Sequence, residues 1–129
     1  MGNYRHLSVW KLAHNVALKI YRATGAFPYH ERYGLTAQLR RAAVSIVSNI
    51  AEGSGRQGDR EHARFLKIAR GSVCEVECQL LLSRDLGYLE AEIWKLLDDD
   101  CQDTSRMLNG LIRSFGRNPL QHSDLTRDS

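Results

Sequence analysis

Apolar positions recur at helical spacing in four blocks along the chain, and short polar stretches separate the blocks. In the first, Val9, Leu12, Ala13, Val16, Ile20 and Ala23 share one face at a 3.6-residue period. This predicts a helix over about Ser8–Thr24, with Ser8 as N-cap and Gly25 as the stop. Pro28 then biases Phe27 away from helical backbone. The second block predicts a helix over about Gly34–Glu52, with Leu35, Leu39, Ala42, Ile46 and Ile50 as its core stripe. Ala37, Val44, Val47 and Ala51 form another apolar line on the other side. A helix apolar on two faces is central in its fold or covered by a second subunit. Gly53 is expected as a left-handed C-cap, ahead of a loop over residues 54–58.

The third helix is predicted from Asp59, as N-cap with Glu61 in the first turn, to about Leu86. It would be roughly 40 Å long, with a core stripe of Phe65, Leu66, Ala69, Val73, Val76 and Leu80. The short Gly87-Tyr88 connection favours an antiparallel fourth helix, over about Glu90–Phe115. That helix is expected to bury Ile93, Leu96, Leu97, Thr104, Met107, Leu108, Leu111 and Phe115. Residues 116–129 lack periodicity and read as a polar tail. The pattern predicts an all-α fold, an antiparallel up-down four-helix bundle over residues 1–115.

The chain has 129 residues, the size of one domain, and its two prolines leave room for long helices. No apolar run of about 18 residues offers a membrane span. Neither a secretory signal nor a myristoylation pattern is expected at the N-terminus, so a cytoplasmic location follows as an expectation. Cys74, Cys78 and Cys101 are three, with no Cys-x-x-Cys pair and no complete zinc set at usual spacings. They read as reduced structural cysteines, and no metal or cofactor is expected.

Several segments point to a family. They are Leu7-Ser8-Val9-Trp10-Lys11-Leu12-Ala13, Tyr33-Gly34-Leu35-Thr36, Arg40–Gly53 with Gly55-Arg56, and Asp85-Leu86-Gly87-Tyr88-Leu89. In this order, across about Tyr4–Phe115, the chain resembles the bacterial four-helix bundle proteins known as rRNA intervening-sequence proteins. Many relatives carry a proline where this chain has Val47, so a family-like kink in the second helix is in doubt. The resemblance implies a bundle that assembles into a ring-shaped homo-oligomer, a homopentamer. The chain is also similar to the accessory protein of diversity-generating retroelements, a basic pentameric bundle that works with a reverse transcriptase and nucleic acid. The resemblance supplies no catalytic residues.

Net charge is only +3, but it is unevenly spread, since residues 1–30 hold no carboxylate and Glu31 is the first. Lys11, Asn15, Lys19 and Arg22 fall in one arc of the first helix, after Arg5. Arg60, Arg64 and Lys67 form a second arc on the third helix, and Asp98, Asp99, Asp100 and Asp103 make the fourth acidic. A basic arc binds phosphate backbones by displacing counterions, and repetition around a ring multiplies weak patches through effective concentration. The bland alternative is a solvated helix face. Trp10 and Tyr21 are placed to stack on bases or simply to edge the core.

Farther along the third helix, the outward line becomes Gly71, Cys74, Cys78 and Leu82. Small and apolar outward residues suggest close approach by a neighbouring subunit, as do Val44, Val47 and Ala51. Gln38, Arg41, Ser45, Ser48, Asn49 and Glu52 form a polar edge, either a binding site in the bundle or a ring channel or, on the preferred reading, structural, with Arg41 and Glu52 meeting partners and Asn49 bonded to a neighbouring helix. Asp100 falls inside an apolar stripe and needs a cationic or hydrogen-bonding partner if buried.

No nucleophile–base set, phosphate-binding glycine loop or metal-binding helix motif is present. Arg56 and His62 have the Arg-x5-His spacing, which resembles the Arg/His pair of HEPN-type helical ribonucleases. The reading is therefore a non-enzymatic homo-oligomeric scaffold that binds nucleic acid, RNA in particular, through repeated basic faces. The alternatives are a protein-assembly scaffold with no nucleic-acid role and the helical ribonuclease.

Overall fold

The computed structural model describes residues 3–116, and within them four α-helices follow one another. They are α1 (Ser8–Thr24), α2 (Leu35–Ser54), α3 (Asp59–Asp85) and α4 (Ala91–Gly116). Single 3-10 turns at Tyr4–His6 and Tyr29–Glu31 lead into α1 and α2. There are no strands among the described residues. The tail expected beyond Gly116 lies outside the described residues.

Each helix packs on its sequence neighbours, and α4 returns against α1. This leaves α1 and α3 on diagonal corners of a four-helix bundle. Cross-helix pairs show the antiparallel register. Gln38 meets Gln79 and Ser45 meets Ser72, so α3 numbers fall as α2 numbers rise. Arg70 with Asn109 and Glu77 with Gln102 do the same for α3 and α4.

The core follows the predicted stripes. Val9, Ala13, Val16 and Ile20 of α1 meet Leu35, Leu39, Ala42, Ile46 and Ile50 of α2, all buried. Leu66, Ala69, Val73, Val76 and Leu80 complete it from α3, and Leu97, Thr104 and Leu108 from α4. Each large aliphatic side chain fully buried this way contributes about 1.5–3 kcal/mol of transfer free energy. Phe27 and Leu89, from the two connections at one end, are also buried, and the Phe27 ring lies 5.5 Å from that of Tyr88. Leu12, Ala23, Met107, Leu111 and Phe115 are only half-buried.

Several details differ from the sequence expectation. Ser8 and Asp59 are first helical residues, and Leu7 and Gly58 hold the cap positions. Gly53 is no left-handed cap; it is helical and buried, and α2 continues through Ser54. A Cβ at Gly53 would meet His62 Cδ2 and Phe65 Cβ at 3.0 Å, so glycine lets α2 cross closely over the first turns of α3. The positive-φ glycines are instead Gly58 (87°) and Gly87 (84°). Gly87 closes α3, with its own N–H donating to Arg84 and that of Tyr88 to Ser83, satisfying carbonyls of the last turn. α2 runs unbroken through Val47.

Ile93 and Leu96, expected in the core, are 42% and 64% exposed. Opposite them α1 offers only Ala23 and the stems of Lys19 and Arg22, leaving an open groove of about 370 Å³. Phe65, also expected in the core, is half-buried, lying under the guanidinium groups of Arg56 and Arg64. Cys101 takes a core place that periodicity did not assign to it, and burial pushes its thiol up to about 12.

Candidate nucleic-acid interface

Lys11 and Arg22 stand exposed on the outward arc of α1, and neither forms an ion pair among the described residues. Lys19 is different: its Nζ donates to Asp100 Oδ2 at 2.7 Å. That bond answers the question of Asp100, whose carboxylate faces a cation from the neighbouring helix. Arg5 sits in the turn before α1, its guanidinium 5.6 Å from the Tyr4 ring centroid. On α3, Arg60 and Lys67 are exposed, and Arg64 is held by Glu61 through a 3.2 Å ion pair. That pair also holds the Glu61 carboxyl below its usual range.

Because α1 and α3 are diagonal, their outward arcs face away from each other. The seven cations predicted to act together thus form two separate surfaces. Since α1 and α3 run in the same direction, Arg5, Lys11, Arg60, Arg64 and Lys67 all gather toward one end. Arg22 lies at the other. The acids of α4 are largely occupied, Asp99 by Lys95, Asp103 by Arg106 and Asp100 by Lys19.

Trp10 does not present a free face. It stacks on His14 at 4.7 Å and meets Tyr4 edge-on, and its Nε1 is buried without a hydrogen-bond partner. Tyr21 is only 44% exposed, and Arg40 lies 4.7 Å over its ring while bonding Thr24 Oγ1 and the Tyr21 carbonyl. The strongly exposed rings are Tyr29 and Tyr33, which the sequence reading passed over. The signal was two tyrosines flanking Arg32 in a turn-rich segment with Pro28 and Gly34.

Part of the polar edge of α2 is engaged in hydrogen bonds. Gln79 Nε2 donates to Gln38 Oε1 at 3.2 Å, and the Ser45 and Ser72 hydroxyls share a 2.8 Å bond. Asn49 donates to Ser45 in its own helix, not to a neighbouring one as expected. Arg41 lines a shallow groove with Gln38, Ser45 and Glu75. Ser48 is exposed.

Arg56 and His62 each have other contacts in the fold. Arg56 donates to Glu52 at 2.6 Å and covers Phe65. The His62 ring lies 4.4 Å from that of Phe115, against Gly53, with Nε2 buried and without a hydrogen-bond partner among the described residues. Burial holds the imidazole pKa below its usual value, and Asp59 opposes this.

Among the predicted contact residues, Gly71, Cys74, Cys78, Leu82 and Val44 are exposed, while Val47 and Ala51 are half-buried. A Cβ at Gly71 would meet nothing within 4 Å. No cluster of three or more His, Cys, Asp or Glu among the described residues could hold a metal ion. No helix among them is long and apolar enough to cross a membrane.

A crystal structure of a protein of unknown function from Bacteroides thetaiotaomicron, in the S23 ribosomal protein family, shares the fold. Its TM-score is 0.73 at 22% identity, over 81% of this chain and 97% of that one. Comparison with curated proteins gave no match. The model of the 23S rRNA-intervening sequence protein family matches residues 5–110. With that match spanning α1 to α3 and most of α4, the chain belongs to the 23S rRNA-intervening sequence protein family.

Proposed function

We propose that the protein is a non-enzymatic scaffold that assembles with copies of itself and binds nucleic acid, RNA first, in the cytoplasm. The observation that carries this reading is the outward arc of α1, where Lys11 and Arg22 project from a helix without a single carboxylate. Such cations neutralise phosphates and release counterions without reading sequence. Arg60 and Lys67 offer a second such surface on α3. One chain carries too few cations on either surface for tight binding, so the reading needs repetition in a ring-shaped homo-oligomer, for which a pentamer suits the family resemblance. The exposed Gly71, Cys74, Cys78 and Leu82 line supports self-assembly, as do Val44 and the uncovered Ile93 and Leu96.

The test is fluorescence anisotropy with structured RNA, single-stranded RNA and duplex DNA across a salt series. Binding should weaken steeply with salt, and Lys11→Glu with Arg22→Glu should weaken it at least tenfold. Lys19→Glu should weaken it too, since it replaces a neutral ion pair by two neighbouring carboxylates. Absence of binding at low salt would leave an assembly scaffold with a protein partner.

A further inference from the structure

Tyr29 and Tyr33, in the connection between α1 and α2, are 78% and 84% exposed. Arg32 lies between them in space as well as in sequence. Its guanidinium is 5.4 Å from the Tyr29 ring centroid and 5.2 Å from that of Tyr33, and Nη1 donates to the Tyr29 hydroxyl at 2.7 Å. The backbone beneath is anchored. Glu31 accepts the Leu35 N–H at 3.1 Å and the Tyr88 hydroxyl at 3.0 Å, tying the loop both to α2 and to the α3–α4 connection. Those bonds hold the Glu31 carboxyl below its usual range, the backbone N–H contributing most.

The charge of this loop is one-sided. Glu31 is the only carboxylate in residues 25–34, and its side chain is 21% exposed, turned in toward its two donors. What faces water is Arg32, His30 and two phenol rings, and the loop's other exposed residues are Gly25 and Ala26. A protein hot spot built from Tyr and Arg sits inside a rim that excludes water; this loop itself supplies no exposed aliphatic side chain larger than alanine, and the uncovered Ile93 lies beyond Ala26, on the α4 side of the cavity they share. Exposed rings beside a guanidinium suit a different partner. Every nucleobase has a π face, and a single strand leaves that face free while carrying phosphates for the cation.

We infer that Tyr29, Arg32 and Tyr33 form a stacking platform for the unpaired bases of single-stranded RNA. The platform rests on the nucleic-acid reading and adds to it a contact that salt does not screen. A duplex keeps its bases stacked on one another and gains nothing from it.

The test compares the wild-type chain, Tyr29→Ala with Tyr33→Ala, and Tyr29→Phe with Tyr33→Phe. Each binds a fluorescein-labelled oligoadenylate and a perfectly paired RNA hairpin in a salt series, with assembly size checked in parallel. The expected result is single-strand affinity at least about tenfold weaker in the alanine pair, the scale of two lost base stacks. The slope against salt should be unchanged, hairpin binding unchanged, and the phenylalanine pair close to wild type because the rings remain. Equal oligoadenylate binding by the alanine pair and wild type would overturn the platform while leaving the nucleic-acid reading in place. No binding of either RNA by the wild type would overturn both. A changed assembly size with unchanged RNA affinity would overturn the platform and mark the rings as a protein contact.

Discussion

At His62 a titratable ring is packed where only its neutral form is comfortable. Gly53 of α2 and Phe115 of α4 press on it, and among the described residues no acceptor faces its buried Nε2 to bond the N–H that a protonated ring would carry there. Among the charged groups of the described residues, Asp59 alone raises its pKa, and burial outweighs that. The unfolded chain therefore takes up the proton first as pH falls below about 6.5. The stability that neutral His62 contributes is complete above that pH and is lost as pH falls toward the depressed folded value. Thermal melts followed by circular dichroism should show the wild-type midpoint dropping between pH 7.5 and 5.5. His62→Leu should show a smaller drop; an equal drop in both would refute this account. None of this was legible in the Arg-x5-His spacing, because the residues that bury His62 come from two other helices. The Lys19–Asp100 bond escaped for the same reason, since it joins positions 81 residues apart. The need of Asp100 for a cation was legible; the identity of the cation was not.

Among the elements, α2 shows what periodicity reads well. All five residues of its predicted stripe are buried, because a helix between two neighbours has its inward face set by spacing alone. Its C-terminus shows what periodicity misses. A glycine near a helix end suggests a left-handed cap, but Gly53 serves the crossing of α2 over α3. Replacing it with alanine sets two effects against each other. Helix propensity gains about 1 kcal/mol, while overpacking a tight contact costs about 1–3 kcal/mol. The contacted atoms include Phe65 Cβ and the His62 carbonyl oxygen, which cannot swing aside without moving α3 itself. Gly53→Ala should therefore lower the urea midpoint with an unchanged m-value, and a raised midpoint would refute a tight crossing at this point. The exposure of Ile93 and Leu96 has a related cause. Their spacing fits the stripe of α4, but the small residue opposite them on α1 leaves the corner unfilled.

For the molecule as a whole, the bundle architecture was legible from four amphipathic blocks and short connections, whereas the relative position of the two basic arcs was not. Helix order in a bundle places α1 and α3 on a diagonal, and no count of charges along the chain reveals that. The proposed self-assembly has a direct check in Gly71→Arg with Val44→Glu. Both positions are exposed, and a Cβ at Gly71 would meet nothing within 4 Å among the described residues, so the fold should be kept. Light scattering after size exclusion should report a smaller particle than the wild type; an unchanged mass would remove these residues from any interface.

The diagonal also governs how a polyanion would experience the protein. An oligonucleotide too short to reach around the bundle, or across the end where the arcs come nearest, can touch one arc of a subunit and never both. A longer strand must either wrap that subunit or step to a neighbouring copy, and the step comes at no further cost in free rotation once the copies are joined. Affinity would then climb with strand length as a staircase, each tread a newly reached arc, and the spacing of the treads would measure the distance between arcs in the assembly.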